Sequence, residues 1–137
     1  MRALIIDAIY NKLNGIADLT GKVYKYNKGH FVKYPVAIIL GSENEKDRES
    51  VKTVKKTYKF KVQILQEVNE QARGTEAGEE LLIRLVDIID NLFDDDDTLG
   101  GVCDDVSLAS AFIWEDRELL MRGVDLQINC WKLKQLT

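Results

Sequence analysis

The residues of this sequence that could carry out catalysis are few and scattered along the chain. His30 is the single histidine, and it lies in a polar turn with no serine or cysteine between nucleophile-elbow glycines to partner it. Gly100 and Gly101 form an isolated pair before a predicted strand, so the sequence has no phosphate-binding loop and no dinucleotide fingerprint. Acids that might pair for acid and base chemistry fall at predicted helix starts and loop tips, where they are solvated. We therefore predict no catalytic residue, no cofactor and no enzymatic activity.

Four consecutive aspartates, Asp94 to Asp97, are the feature most similar to a metal site, because calcium favours clustered carboxylates. The run fails the calcium-loop pattern. Counting from Asp94 puts Leu99 where the loop needs glycine, and counting from Asp95 puts Val106 where the bidentate glutamate belongs. We predict no metal site and interpret Asp94, Asp95, Asp96 and Asp97 as a solvated or partner-facing loop, with a weak cation site as the alternative.

The two cysteines, Cys103 and Cys130, are too few and too far apart for a zinc site, which usually needs four ligands in close pairs. We predict reduced, cytosolic thiols. If the last two strands form a hairpin, the two residues lie near each other across it, so a disulfide is the alternative.

Length and composition predict one soluble globular domain over residues 1–137. The chain is 45% hydrophobic and has one proline, which is too apolar for a disordered chain and too poor in breakers for a linker. No apolar run approaches the roughly 18 to 20 residues that span a bilayer. The N-terminus places Asp7 where a signal peptide would continue its apolar stretch. We predict neither export nor a membrane partner.

Charge is distributed unevenly along the sequence. Residues 42–61 contain seven bases and four acids, whereas residues 67–97 contain eleven acids and two bases. This polarity can align identical subunits head to tail, and the alternative is two plain solvated faces. The net charge of −4 argues against a generic nucleic-acid binder.

Hydrophobic periodicity predicts the elements in the order helix, strand, strand, strand, helix, strand, strand. Leu4, Ile5, Ala8, Ile9 and Leu13 predict a first helix over residues 3–14 that ends at Gly15. A short strand is predicted at Lys22 to Tyr26, and a continuous apolar strand follows at Tyr34 to Leu40 with Pro35 at its start. Gly41 to Ser50 is predicted to be a charged connector.

The second half of the chain gives the clearest signals. Within Thr57 to Ile64, the side chains of Tyr58, Phe60, Val62 and Ile64 share one face, which predicts a strand with one buried side. Residues 76–93 predict a broad apolar helix capped by Thr75. Val102 to Trp114 and Glu118 to Leu133 predict a long hairpin. The predicted fold class is α+β: a mostly antiparallel sheet with two helices packed on one face and a long C-terminal β-hairpin.

Two further features have open interpretations. Trp114 and Trp131 are predicted to be core residues, with interface anchors as the alternative. The polar faces of Lys55, Lys59 and Lys61 and of Asp125, Gln127 and Asn129 are either solvent faces or surfaces that a ring-forming protein places in its lumen.

The layout resembles that of the tail-terminator and tail-completion proteins of long-tailed bacteriophages. The resemblance rests on the N-terminal helix, the strand entered through Tyr34-Pro35, the charged connector, the basic alternating strand Tyr58 to Val62, the helix at Glu79 to Phe93 and the final hairpin. It spans nearly the whole chain and contains no invariant signature.

This resemblance implies a virion protein that forms a hexameric ring on the tail tube, ends tail polymerisation and contacts head-completion or neck proteins. DNA would be a passing cargo in the lumen, and assembly would take place in the host cytoplasm. By position, the candidate contact residues for subunit, tube or neck are Glu43, Glu45, Lys46, Asp47 and Arg48, together with Asp94 to Asp97. The alternatives are another neck or head-completion protein and a small intracellular ligand-binding domain.

Overall fold

The structure, a computed structural model, describes residues 1–26, 31, 33–67, 75–116, 118 and 120–135. Its elements are helix α1 (Arg2–Asn14), a 3-10 turn (Ala17–Leu19), strands β1 (Val23–Tyr24), β2 (Val36–Arg48) and β3 (Thr53–Glu67), helix α2 (Thr75–Asp95), and strands β4 (Asp105–Asp116) and β5 (Met121–Gln135). The described strands form one sheet in the order β1-β2-β3-β5-β4, in which β1 is parallel to β2 and the other neighbours are antiparallel. The predicted α+β class and the predicted order of elements are confirmed.

The central strands β3 and β5 bury one face, as predicted. On β3 the buried residues alternate along the strand: Tyr58, Phe60, Val62 and Ile64. Their direct partners on β5 are buried as well: Cys130, Ile128, Leu126 and Val124. A one-residue slip of either strand would expose its whole apolar set, so burial fixes the register.

Both helices pack on this face, which confirms their predicted placement. Helix α1 contributes Ile5, Ile9 and Leu13 to the same core as the two strands. From residue 79 to the end of α2, the buried residues are Leu81, Leu82, Leu85, Ile89 and Phe93. Each fully buried aliphatic side chain stabilises the fold by about 1.5 to 3 kcal/mol before entropy is subtracted, so the helices hold the sheet. In the described chain no helix is long and apolar enough to cross a membrane.

A smaller apolar cluster lies on the opposite face of the sheet, at the start of β2. It consists of Phe31, Val36 and Ile38, with Tyr24, Tyr34, Leu40 and Leu65 packed against it. The first residues of β2 are therefore buried on both faces, which accounts for their continuous apolar sequence. As predicted, Pro35 stands immediately before this strand, where its missing N–H breaks no ladder.

The prediction of a charged connector from Gly41 to Ser50 is wrong. Strand β2 continues to Arg48 and pairs with β3 along that length. Glu43 lies opposite Lys59, and Asp47 lies opposite Lys55. Opposite charges on adjacent strands stabilise the ladder where apolar pairs are missing, so the charge density that suggested a loop belongs to a strand.

Several predicted boundaries also need correction. The first strand is limited to Val23–Tyr24, because those residues alone pair with β2 among the described residues. Helix α2 includes Thr75 rather than being capped by it, and it ends at Asp95. The final strands begin later than predicted, at Asp105 and Met121. The polar turn that contains His30 lies outside the described residues.

One residue of the predicted α1 stripe is not buried. Leu4 is 58% exposed, whereas its neighbour Ile5 is fully buried. Adjacent residues on a helix are separated by about 100°, so Leu4 falls outside the narrow stripe at four-residue spacing.

Candidate assembly interface

Strand β4, at one edge of the described sheet, carries exposed apolar side chains. No charged residue occurs from Val106 to Trp114. Phe112 is 66% exposed and Ile113 is 40% exposed. Within the described chain β4 pairs with β5 alone, so the backbone groups along its outer side have no strand partner. Such an edge is a template for pairing with another chain.

Two bulges lie at the same level of the sheet, on either side of its centre. Strand β2 bulges between Leu40 and Ser42, and strand β4 bulges between Leu108 and Ser110. Both bulges flank the level at which Lys61 of β3 pairs with Gln127 of β5. Because a bulge bends its strand, the sheet is bent along this line.

A cleft of about 490 Å³ lies at this bend, on the sheet face away from the helices. We name this side the open face. The cleft is lined by Gly41, Glu43, Lys59, Phe60, Lys61, Ser110, Phe112, Asp125, Leu126 and Gln127. Two acids, two bases and one amide line it together with apolar residues such as Phe112, so it offers a partner both polar and apolar contacts.

Asp125 joins three strands on the open face. Its Oδ1 accepts hydrogen bonds from Gln63 Nε2 at 3.0 Å and from the Trp114 indole Nε1 at 3.1 Å. Its Oδ2 lies 3.3 Å from Lys61 Nζ. The sequence places Asp125 in a polar stripe but does not reveal this role. Its partners lie on two other strands, and they can be identified only when the strand order is known.

Neither tryptophan belongs to the buried core, so the core prediction is wrong for both. Both are half-buried on the open face. The Trp114 ring covers Gly123, where an added Cβ would stand 2.6 Å from Trp114 Cζ2. The Trp131 ring lies under the ammonium of Lys55, whose Nζ is 4.9 Å from the ring centroid. The role of either residue as an interface anchor stays a prediction.

The predicted contact residues on β2 divide between the two faces. Glu43 and Asp47 lie on the open face, opposite lysines of β3. Lys46 and Arg48 lie on the helix-bearing face, opposite Lys56 and Val54. Glu45 pairs with Thr57 in the same ladder. The sequence-predicted group therefore forms one strand edge with two differently charged sides.

The four consecutive aspartates do not act as one cluster. Asp94 and Asp95 belong to the last turn of α2, and both are exposed, as is Asp97. Asp96 instead lies 2.8 Å from Lys12 Nζ of α1 and accepts a hydrogen bond from the backbone N–H of Gly100. In the part of the chain that the structure describes, no three potential ligands come close enough to hold a metal ion.

Asp96 fixes the turn between α2 and β4 against α1. The Lys12 ammonium and the Gly100 N–H hold the pKa of Asp96 below its ordinary value of 3.8, because both favour the charged carboxylate. Gly100 has a φ of 70°, a left-handed conformation that glycine adopts without strain. The carboxylate and the glycine together set the geometry of the turn.

The cysteines are buried and are free thiols in the structure. A hydrogen-bonding contact with Cys103, together with burial, raises the pKa of Cys130. The Cys130 thiol also lies 3.7 Å from the Tyr58 carbonyl oxygen. The predicted proximity of the two residues is confirmed, and their environment keeps Cys130 protonated.

Comparison with known proteins yields a match of fold. No protein-family model matches the sequence, and no curated protein is significantly similar to it. A solved chain from the virion of a native gene transfer agent (GTA) particle superposes with a TM-score of 0.61 and 11% identity. The match covers 93% of this chain and 92% of that chain. The two chains therefore share a fold over nearly their whole lengths.

Proposed function

We propose that this chain is a virion structural protein that forms a ring on the head-proximal end of a tail tube. The ring ends tail polymerisation and joins the tail to head-completion or neck proteins. The observation that carries the proposal is the free edge of β4, which is 12 residues long. Monomeric proteins usually blunt such an edge with charged residues, proline or a bulge; β4 has a bulge between Leu108 and Ser110, but it contains no lysine, no proline and no charge from Val106 to Trp114.

The opposite edge of the sheet supplies a complementary partner. Strand β1 covers β2 at Ala37 and Ile38 alone within the described chain, so the outer side of β2 is open from Leu40 to Arg48. Addition of β4 from one copy to this edge of the next is a heterologous contact, and its repetition closes a ring when the rotation fits. Glu43, Glu45, Lys46, Asp47 and Arg48 then lie at the subunit contact.

The fold comparison supports the coarser part of the proposal, a protein of a virion, because the matched chain belongs to a virion particle. In the proposed ring, which we take to be hexameric, the polar open face lines the lumen and DNA passes as cargo. The exposed acids Asp94, Asp95 and Asp97 lie at a contact with a neighbouring subunit, the tube or the neck proteins. Assembly takes place in the host cytoplasm before the protein becomes part of the virion. The role is structural and requires no catalysis.

The proposal is tested by mass photometry and negative-stain imaging of the purified chain, alone and with tail tubes of its own particle. Wild-type protein is expected to form rings and to cap tubes at one end. Ile113→Lys, which places a charge on the β4 edge, is expected to abolish ring formation while the monomer stays folded. Leu4→Lys introduces the same charge at an exposed apolar site on α1 and serves as the control. Tubes that elongate freely in the presence of the wild-type chain would overturn the proposal.

Localisation separates the tail terminator from a head-completion or neck protein. Immunogold labelling of intact particles is expected to mark the top of the tail, next to the head. Label on the head side of the joint after tails are removed would assign the chain to the head-completion group instead.

One observation favours a second candidate, a ligand-binding domain. The cleft on the open face brings Lys61, Asp125 and Gln127 together with the exposed ring of Phe112. Such convergent polar groups suit a small polar ligand. A small-molecule thermal-shift screen tests this candidate, and a hit must lose its effect in Asp125→Ala to support it.

A further inference from the structure

A cluster of bases lies on the helix-bearing face of the sheet, beyond the point where the helices end. The last buried row of this face contains Tyr58 and Cys130. In the next row, the register places Lys46, Lys56 and Lys132 side by side on three adjacent strands. One row further, Arg48 and Lys134 flank Val54. We name the five bases the lysine shelf: Lys46, Arg48, Lys56, Lys132 and Lys134.

The acids nearest to the shelf in the described part of the chain are Asp104 and Asp105, which lie near Cys103 together with Lys132. The Cβ atoms of directly opposed residues on neighbouring strands lie about 5 Å apart, and like charges at such positions are destabilising, so the three lysines repel one another. Among the described residues, none of the five bases forms an ion pair. The acids Glu43 and Asp47 of β2 lie on the opposite face, and Asp104 accepts a hydrogen bond from the backbone N–H of Leu133.

The start of α1 adds positive potential beside the shelf. Arg2 donates a hydrogen bond of 3.1 Å to Asn44, whose partner on β3 is Tyr58. The first turn of α1 contains no acid, so the positive end of the helix dipole is not compensated within the helix. A surface with this much unpaired positive charge is suited to an acidic partner.

The outer side of α2 carries the complementary charge. Its exposed acids are Glu79, Glu80, Asp87, Asp90, Asp94 and Asp95, and exposed Asp97 follows them. Arg84 lies among them, and it is engaged with Asp18 at 3.7 Å. Asp87 and Asp94 are separated by about 10.5 Å along the helix axis. The shelf extends about 9.5 Å across three strands, so the two charged surfaces are similar in length.

We propose that the lysine shelf of one copy docks on the acidic outer side of α2 in the next copy. A chain cannot bring its own two surfaces together, because the outer side of α2 points away from the sheet that carries the shelf. Like the proposed contact between β4 and β2, this contact joins two different surfaces of neighbouring copies. The inference rests on the ring proposed above. Duplex DNA is a less suitable occupant, because the acids of α2 and the net charge of −4 repel it.

Charge reversal in trans tests the contact. Lys56→Glu/Lys132→Glu reverses the shelf, and Asp87→Lys/Asp90→Lys reverses the α2 side. Each variant alone is expected to lose self-association roughly 100-fold at low salt, because like charges then face each other. A one-to-one mixture is expected to recover alternating rings, since each reversed surface then meets an opposite charge. Lys22→Glu/Lys33→Glu changes the net charge equally at sites outside the shelf and is expected to assemble normally.

Mass photometry at low and high ionic strength gives the readout, with circular dichroism confirming that each variant is folded. Added salt is expected to weaken wild-type assembly and to have less effect on either reversed variant. A wild-type ring that is unaffected by shelf reversal, or a mixture that assembles no better than its parts, would overturn the shelf contact and leave the ring proposal intact. A wild-type chain that stays monomeric and does not cap tubes would overturn both. A duplex DNA shift that depends on Lys56, in variants with unchanged self-association, would assign the shelf to nucleic acid.

Discussion

Strands β2, β3 and β5 each pass through two regions, one covered by the helices and one beyond them. In the covered region the helix-bearing face holds fully buried side chains such as Leu126 and Phe60, which is 1% exposed. In the bare region the same alternation continues with Lys56 and Lys132. Burial of apolar surface is the dominant favourable term in folding, so the covered region holds the fold and the bare region contributes charge. One strand therefore buries apolar side chains along part of its length and presents charged side chains along the rest.

The largest effect on stability is expected from a test that removes one side chain from each region. Phe60→Ala is expected to lower the free energy of unfolding by about 3 to 5 kcal/mol, because it leaves a cavity in the core to which both helices contribute. Lys56→Ala, four residues away on the same face, is expected to change it by less than about 0.5 kcal/mol. Urea denaturation of the monomer measures both values. Equal losses at the two positions would show that the bare region also holds the fold.

A second test adds an atom instead of removing one. A Cβ at Gly123 would stand 2.6 Å from the Trp114 ring and 2.8 Å from the Ile64 carbonyl oxygen. Gly123→Ala is therefore expected to destabilise the protein by about 1 to 3 kcal/mol, because backbone or ring must shift. Gly41→Ala, in the β2 bulge, is the matched control, since a Cβ added there would meet no atom within 4 Å. Thermal unfolding that changes equally in both variants would contradict the close packing at Gly123.

The covered region is also the part of the fold that the sequence predicts well. Alternation at Tyr58 to Ile64 and the leucine-rich stripe of α2 each have one arrangement that buries every apolar side chain, so periodicity is sufficient. The bare region has no such constraint. Glu43 to Arg48 contains no apolar residue, and its strand conformation depends on cross-strand charge pairs that are invisible until β3 is placed opposite.

The sequence also predicts some of the candidate contact surfaces better than others, because some of them depend on which strands lie side by side. Composition and position along the chain identify the charged edge of β2 and the acids that follow α2. The lysine shelf could not be predicted, because Lys46, Lys56 and Lys132 are distant in sequence and meet through the order β2-β3-β5. The free edge of β4 likewise follows from the strand order and not from its residues.

A third test concerns the open face of the covered region, where polar contacts replace apolar burial. Asp125→Ala is expected to cost about 1 to 2 kcal/mol, because the Trp114 indole N–H and the Gln63 amide lose their acceptor. The intrinsic tryptophan fluorescence of the folded protein is expected to shift as well. Asn129→Ala, which removes an exposed acceptor of Gln127 on the same strand, is expected to have a smaller effect on both measurements. An equal effect of the two substitutions would remove the special role assigned to Asp125.

The smallest effect on stability is expected at Asp96, in the turn between α2 and β4, and this effect depends on pH. Contacts with Lys12 and Gly100 lower the pKa of Asp96 in the folded state from 3.8, so its charged form stabilises the fold. This stabilisation is fully present above the ordinary aspartate pKa and disappears as the pH falls through the lower folded value. The midpoint of thermal unfolding of Asp96→Asn is therefore expected to lie below that of the wild type at neutral pH and to converge with it in acid. Asp97→Asn, at an exposed neighbour, is expected to show no such convergence, and parallel pH curves for the wild type and Asp96→Asn would contradict the assigned contacts.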